Sequence, residues 1–384
     1  MVNPFKPGSG LYPPHFAGRG RETRIFTGKL DRTKGGAPMH MGIVGDWATG
    51  KTSLLRRFRE VAEDGGCFVS EVISPVTDST AVFVNTLSNT IADDLQRKDG
   101  TPIYQKIKGK LQHLDGISAF GFGASIRQSN AERGSPQFDL RIGLRTVWEN
   151  ISPRYSAMVL LVDDFDLMTG DSKVSREIMV TYRNSLMEAI NDGVKIMSVV
   201  AGARLFEQFE SAHGPLVRFF EPFELKNLER DDARVAITEP LKDGGISFTD
   251  EVVEKILDTT HGQPYYIQEF CYVLCENALD NKVDMKIFEA VYNKILHDLA
   301  RKMWRRKLHE MGDISIKILY LVATGHTTTD EITVRSGKRF ELKPSTVRGI
   351  LTRLQQTGHI SRVARGEYEM NDKLFGEYIT TLFP

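Results

Sequence analysis

Cysteine is scarce in this sequence, with three in 384 residues. Three thiols cannot build a disulfide framework. Cys271 and Cys275, four apart on an expected helix, make too few ligands for zinc. All three read as reduced packing residues. Long apolar runs are also missing. A run such as Ala157–Val162 is strand-length and far short of the roughly 18 residues a membrane span needs. No excess of one charge exists: 50 Lys and Arg balance 50 Asp and Glu. That excludes a uniformly basic nucleic-acid coat but leaves room for a local basic face. The opening stretch MVNPFKPGSGLYPPHFAGRG has four prolines and no apolar core, so it does not read as a signal peptide. The expectation is a cytoplasmic protein with no membrane partner. A hydrophobic share of 41% and a charged share of 26% are those of folded domains.

The length predicts two or three domains. Residues 1–36 are a Pro/Gly-rich arm with a short helix near Arg21–Leu30. From 37 to 228, apolar runs alternate with amphipathic stretches. The expected strands are Met39–Val44, Cys67–Ile73, Ala157–Val162, Val194–Ala201 and Pro222–Leu225. The expected helices include Thr52–Ala62, Ala81–Arg97, Asp139–Asn150 and Arg176–Asn191. Continuous apolar strands separated by helices predict a parallel sheet covered on both faces. Gly116–Ile126 reads either as one arm of a hairpin with Phe138–Ile142 or as an irregular connector. Residues 229–304 read as a wholly helical lid, and residues 305–384 as a third module.

The sharpest signal is Gly45-Asp46-Trp47-Ala48-Thr49-Gly50-Lys51-Thr52, followed by Ser53. It fits G-x-x-x-x-G-K-[ST] and lies between the apolar strand MHMGIV and the helix TSLLRRFREVA. Glycines let the chain curl so that successive N–H groups face phosphate oxygens, and the helix start adds partial positive charge. Lys51 is placed for the β- and γ-phosphates of ATP, and Thr52 for Mg²⁺. Asp46 sits at a free position and is expected to turn outward. The strand ending at Val162 delivers Asp163 and Asp164. Asp163 is the expected Mg²⁺ carboxylate. Asp164 is placed to orient or deprotonate the attacking water, and its side chain is one methylene shorter than glutamate's. Asp166 reads as a helix cap. Arg204, after the fourth strand, is a candidate for the γ-phosphate. Arg218, just before the last strand, is a candidate for acting in trans on a neighbouring subunit's ATP.

At the carboxy end, Ser315–Thr324, Thr328–Ser336 and Lys343–Thr357 read as helices, with Pro344 in the first turn of the third. His359–Val363 and Glu367–Met370 then read as a hairpin. This is helix-turn-helix plus a wing. Residues 301–365 hold 14 Lys and Arg against 5 Asp and Glu, a surplus of nine in a neutral chain. That asymmetry favours contact with duplex DNA. Ser345, Thr346, Arg348, Arg353 and Gln356 lie off the apolar face of the third helix. Arg362 and Arg365 lie in the wing.

Together these blocks resemble the AAA+/STAND superfamily of P-loop ATPases. They are similar to archaeal-type ATPases and the Orc/Cdc-like initiators with a winged helix. Phe16-Ala17-Gly18-Arg19-Gly20-Arg21-Glu22 is similar to that family's F-x-G-R-x-x-E box, which implies that Phe16 and Arg19 serve the adenine side. Arg204 matches the sensor position. His261-Gly262-Gln263-Pro264-Tyr265 is similar to the G-x-P turn of the STAND lid, which implies that Pro264 borders the nucleotide. The second-sensor G-x-x-R arginine is absent. The resemblance implies an α/β P-loop fold of the ASCE/AAA+ type, a helical lid and a winged helix. It also implies slow ATP hydrolysis and a nucleotide-set placement of the winged helix on DNA. The alternative it carries is a STAND-type signalling or scaffold ATPase, including one attached to a defence or mobile-element system. Such a protein forms homo-oligomers on ATP and uses the winged helix for protein contacts.

Overall fold

The computed structural model describes residues 3–8, 10–75, 77, 79–112, 136–165, 172–203 and 214–383. They divide into two compact units, Gly8–Ala236 with Gln263–Tyr265, and Met1–Pro7 with Ile237–Gly262 and Tyr266–Pro384.

The first unit is built on five strands: β1 (His40–Val44), β2 (Phe68–Ile73), β3 (Met158–Asp163), β4 (Ile196–Gly202) and β5 (Phe220–Glu224). All pairings are parallel, in the order β2-β3-β4-β1-β5. Strand alternation distributes one run to two faces. Met158, Leu160 and Val162 of β3 join the layer of α3 (Thr80–Gln112), α4 (Pro136–Ile151) and α5 (Ser172–Asn191). Ala157, Val159 and Leu161 face α1 (Gly20–Lys34) and α2 (Lys51–Asp64) on the other side. Burial on both faces explains why the strands read as unbroken apolar runs.

Phe138–Ile142 is not a strand. It lies within α4, where Leu140, Leu144, Val147 and Ile151 are buried. Their spacing of four, three and four is helical, and that period overrides the short alternation around Phe138. Gly116–Ile126 and Asp166 lie outside the described residues. A short α6 (Gly214–Phe219) leads into β5.

The second unit begins with the end of α7 (Arg230–Gly244), followed by α8 (Asp250–Thr260), α9 (Pro264–Glu276) and α10 (Met285–Leu299). It is not wholly helical: Ser247–Phe248 (β6) pairs with Lys282–Val283 (β7). A π-helical turn, Ala300–Trp304, joins α10 to α11 (Arg305–Met311). Next come α12 (Asp313–Ala323), α13 (Thr329–Phe340) and α14 (Pro344–Gln356), then the antiparallel β8 (Ile360–Ala364) and β9 (Glu367–Met370). Thr328 and Glu331 form a reciprocal capping box at α13, and Pro344 opens α14. A last helix, α15 (Lys373–Thr381), capped by Asp372, was not expected from the sequence.

Helices α9 and α10 share one packed core with the π-helical turn and α15. Tyr266 Oη donates to Asp372 at 2.5 Å and accepts from Trp304 Nε1 at 3.1 Å. The Trp304 ring, fully buried, packs on Phe375 and Tyr378. Tyr292 donates to Glu377 at 2.5 Å. Burial beside the Asp372 carboxylate pushes the Tyr266 hydroxyl far above the usual tyrosine range. It therefore stays protonated and keeps donating.

Candidate nucleotide site

The site is assembled at the carboxyl ends of β1 and β3. After Val44 the chain turns through residues 45–50 and enters α2 at Lys51. Gly45 has no room for a side chain. A Cβ there would sit 2.7 Å from the Leu225 carbonyl oxygen and 2.9 Å from Thr49 Oγ1. Gly50 caps α2 in the left-handed region, at φ 91. Ala48 also has positive φ, at 70, so the loop holds strain next to the expected phosphate position. Thr49 Oγ1 donates to the Asp46 carbonyl at 2.8 Å and fixes the curl. Asp46 and Trp47 are exposed, so the acidic side chain faces solvent as expected.

Lys51 is buried at the start of α2, and its ammonium donates to the carbonyls of Gly45 (2.8 Å) and Asp46 (3.0 Å). The cation thus spans the mouth of its own loop. Thr52 Oγ1 donates to Asp163 Oδ2 at 2.5 Å, across 111 residues of sequence. Asp163 is buried at the tip of β3, and its other oxygen accepts from the Asp164 N–H at 2.9 Å. Asp164 takes a left-handed backbone, φ 51, which aspartate tolerates, and is half-buried. One hydroxyl and one carboxylate oxygen make a hard-oxygen pair. Such a pair suits Mg²⁺, which keeps several waters and phosphate oxygens of its own. No group of three or more His, Cys, Asp or Glu able to hold a metal occurs among the described residues.

The sequence boxes around the loop converge on it. Arg19 is buried, and its guanidinium donates to the Thr49 carbonyl at 2.9 Å while pairing with Glu22 at 3.3 Å. Burial holds its pKa below the ordinary arginine value, partly offset by Glu22. Phe16 stacks on Tyr12 with centroids 5.8 Å apart. Pro264 lies over the loop, with its Cγ 3.8 Å from where a Gly50 Cβ would stand. Gln263 Nε2 reaches the Trp47 carbonyl at 3.5 Å, and Tyr265 faces Trp47 at 5.9 Å. Sequence reasoning missed Gln263 and Tyr265; their place beside the G-x-P proline was the available signal. Ser53, next to Thr52, is half-buried.

Arg218 is exposed at the end of α6, at the amino edge of the sheet. The phosphate loop is at the carboxyl edge. Four residue steps along β1 take His40 to Val44, about 13 Å at ~3.3 Å each, so Arg218 does not serve the loop of its own chain. Arg204 lies outside the described residues. In the carboxy-terminal module, Ser345, Arg348, Gln356, Arg362 and Arg365 are exposed and Thr346 is half-buried. Arg353 is also exposed, but one terminal nitrogen donates to the Met311 carbonyl at 2.9 Å and to Ser315 Oγ. It staples α14 to α12. Cys67, Cys271 and Cys275 are free and buried, and burial pushes the Cys275 thiol up to about 12.

A strand inserted between β1 and β3, a phosphate loop on β1 and a carboxylate on β3 define the fold type. Residues 15–178 match the AAA ATPase domain family. The first unit has the fold of a P-loop ATPase core. Two solved structures are similar in fold. One is the Walker-type ATPase of Pyrococcus abyssi (TM-score 0.62, 14% identity, 95% of this chain and 96% of that one). The other is the ORC2 protein of Aeropyrum pernix, solved as ADPNP–ADP complexes (TM-score 0.62, 14% identity, 98% and 95%). No curated protein sequence matches the chain. No helix among the described residues is long and apolar enough to cross a membrane.

Proposed function

We propose that this ATPase is a nucleotide-controlled switch whose ATP state governs the placement of a winged helix on duplex DNA. The observation that carries the ATPase half is the Thr52–Asp163 contact beside the Lys51 loop. In the ATP-bound form, Lys51 leaves the Gly45 and Asp46 carbonyls for phosphate oxygens. The loop N–H groups cradle the β-phosphate. Thr52 and Asp163 are the residues that would hold Mg²⁺, Asp163 through a water. The metal would neutralise phosphate charge there. Asp164 takes the proton of the attacking water as its oxygen bonds to the γ-phosphorus. The bond to the β–γ bridging oxygen breaks, and ADP leaves with the electron pair. Arg218 serves a neighbouring chain's ATP, in a homo-oligomer formed on ATP. Arg204 belongs to the γ-phosphate side of this reading.

The link to DNA is mechanical. Pro264, over the loop, and Tyr266, bonded to Asp372, stand two residues apart at the start of α9. A rotation of that helix start is therefore passed to the core shared by lid and winged helix. Ser345, Thr346 and Arg348 are the base-edge candidates, and Arg362 and Arg365 the phosphate candidates. Arg353 contributes by holding α14 in position. The same shared core supports a second reading, a STAND-type scaffold whose winged helix contacts protein. Mobility shift of the full chain on mixed duplex DNA separates the two. Binding that depends on ATP and weakens with salt, with a shallower salt slope in Arg362→Ala/Arg365→Ala, supports the switch. No shift at low salt, with or without ATP, refutes it.

A further inference from the structure

A second cleft opens at the amino edge of the sheet, on the side away from the phosphate loop. It encloses about 580 Å³ and is lined by Pro38, Met39, Met187, Ile190 and Phe219, with His40, Arg183 and Arg218. That volume falls within the roughly 300–1,000 Å³ of small-molecule sites. Its chemistry is amphipathic. The apolar side chains make one wall, and the polar side chains are almost all hydrogen-bond donors.

Two of those donors are buried without an acceptor. His40 is 5% exposed. Its Nδ1 accepts from the Ser198 N–H at 3.0 Å, so in the neutral ring the proton sits on Nε2. Nε2 is buried and has no hydrogen-bond partner. The ring is held by stacking on Phe219, centroids 4.1 Å apart. The Arg183 guanidinium also lies over the Phe219 ring, 5.6 Å from its centroid, and Nη1 donates to Asn184. Arg183 Nε is buried and has no hydrogen-bond partner. Buried N–H groups are nearly always paired, so two orphans in one cleft call for an acceptor. Arg218, exposed, adds a second full charge. Glu221, the one carboxylate among the described residues that line the cleft, is paired with Lys29.

We propose that this cleft binds a small carboxylate with an apolar body, the carboxylate taking His40 Nε2–H and Arg183 Nε–H. The hydrocarbon lies against Phe219, Met187 and Ile190. Phe219 packs against both donor side chains, which limits the freedom they lose on binding. Burial and the Lys29 charge hold the His40 pKa down at about 3, so the ring stays neutral and keeps its Nε2 proton as a donor.

The test uses the full chain with its phosphate loop saturated by ADP. Octanoate and phenylacetate are titrated calorimetrically, with acetate and inorganic phosphate as partial ligands. The expected result is saturable binding of at least one apolar carboxylate, roughly tenfold or more tighter than acetate or phosphate. Arg183→Gln, at a half-buried position of α5, should weaken it by a similar factor and leave ADP affinity unchanged. His40→Phe keeps the stack, removes the N–H and should weaken binding as well. The proposal is overturned if no carboxylate binds, if phosphate binds as tightly as octanoate, or if Arg183→Gln binds like the parent. It is also overturned if sedimentation shows copies associating through this face and Arg183→Gln abolishes that association while octanoate has no effect.

Discussion

His40 gives the fold a calculable weakness to acid. Its imidazole is buried on β1 between Phe219 and the Ser198 N–H, and its pKa is held down to about 3 from the ordinary 6.5. Desolvation is the main cause, with Lys29 second. Glu221, paired with Lys29, and the Arg183 and Arg218 guanidiniums complete the charged surroundings. Between pH 6.5 and 3, the unfolded chain takes up a proton that the folded chain refuses. The unfolded state therefore binds more protons, and stability rises with pH. The contribution is intact above 6.5 and is lost as pH falls. Integrated from pH 7.5 to 5.0, the loss is about 2 kcal/mol, the cost of protonating one imidazole only in the unfolded chain. Urea unfolding followed by circular dichroism at pH 7.5, 6.5, 5.5 and 5.0 measures it. His40→Phe provides the reference, because phenylalanine keeps the stack and cannot titrate. The stability of the parent minus that of the variant should fall by about 2 kcal/mol across this range. Parallel pH profiles would refute the burial argument.

Gly45→Ala places a methyl 2.7 Å from the Leu225 carbonyl oxygen, a backbone atom with no easy retreat. ATP affinity should fall roughly a hundredfold or more through loss of the loop's shape; an unchanged affinity would mean the loop tolerates a Cβ. Asp164→Asn should bind ATP normally while turnover drops about 10²–10⁴-fold, and normal hydrolysis in that variant removes Asp164 as the base. Tyr266→Phe deletes the hydroxyl shared by Trp304 and Asp372, both contacts being largely buried. Thermal or urea unfolding should show a loss of about 2–4 kcal/mol; a loss under half a kilocalorie would show the contacts do not tie α9 to α15.

Much of the core was legible because its physics is local. A strand buried on both faces must be apolar throughout, as Met158–Val162 is. A loop that curls around phosphate needs glycine at Gly45 and Gly50, and those positions are where space and φ demand it. The Asp163 carboxylate was readable for the same reason, standing where an apolar strand ends. Reading failed where the decisive contact was distant or the segment short. Tyr266 and Asp372 meet across 106 residues, and nothing near either residue announces the other. β6 and β7 are two residues each, too short to show alternation. α15 is nine residues long, and its Asp372 cap was masked by the turn after the β8–β9 hairpin. Phe138–Ile142 was open to both periods until the next two turns of α4 decided between them. The polar character of the amino-edge cleft was invisible in the sequence. A single histidine opening a strand gives no sign that one nitrogen is satisfied and the other is not. The basic third-helix residues were read by exposure alone, and that could not reveal Arg353 as a staple to Met311 and Ser315.

The most direct measurement is calorimetric titration of ATP, with and without Mg²⁺, into the full chain and into Lys51→Ala. The loop geometry predicts one site per chain in the parent, tighter with Mg²⁺, and no measurable binding in the variant, whose buried ammonium at Gly45 and Asp46 is gone. Absence of heat in the parent, or equal affinity in the two proteins, would contradict the account.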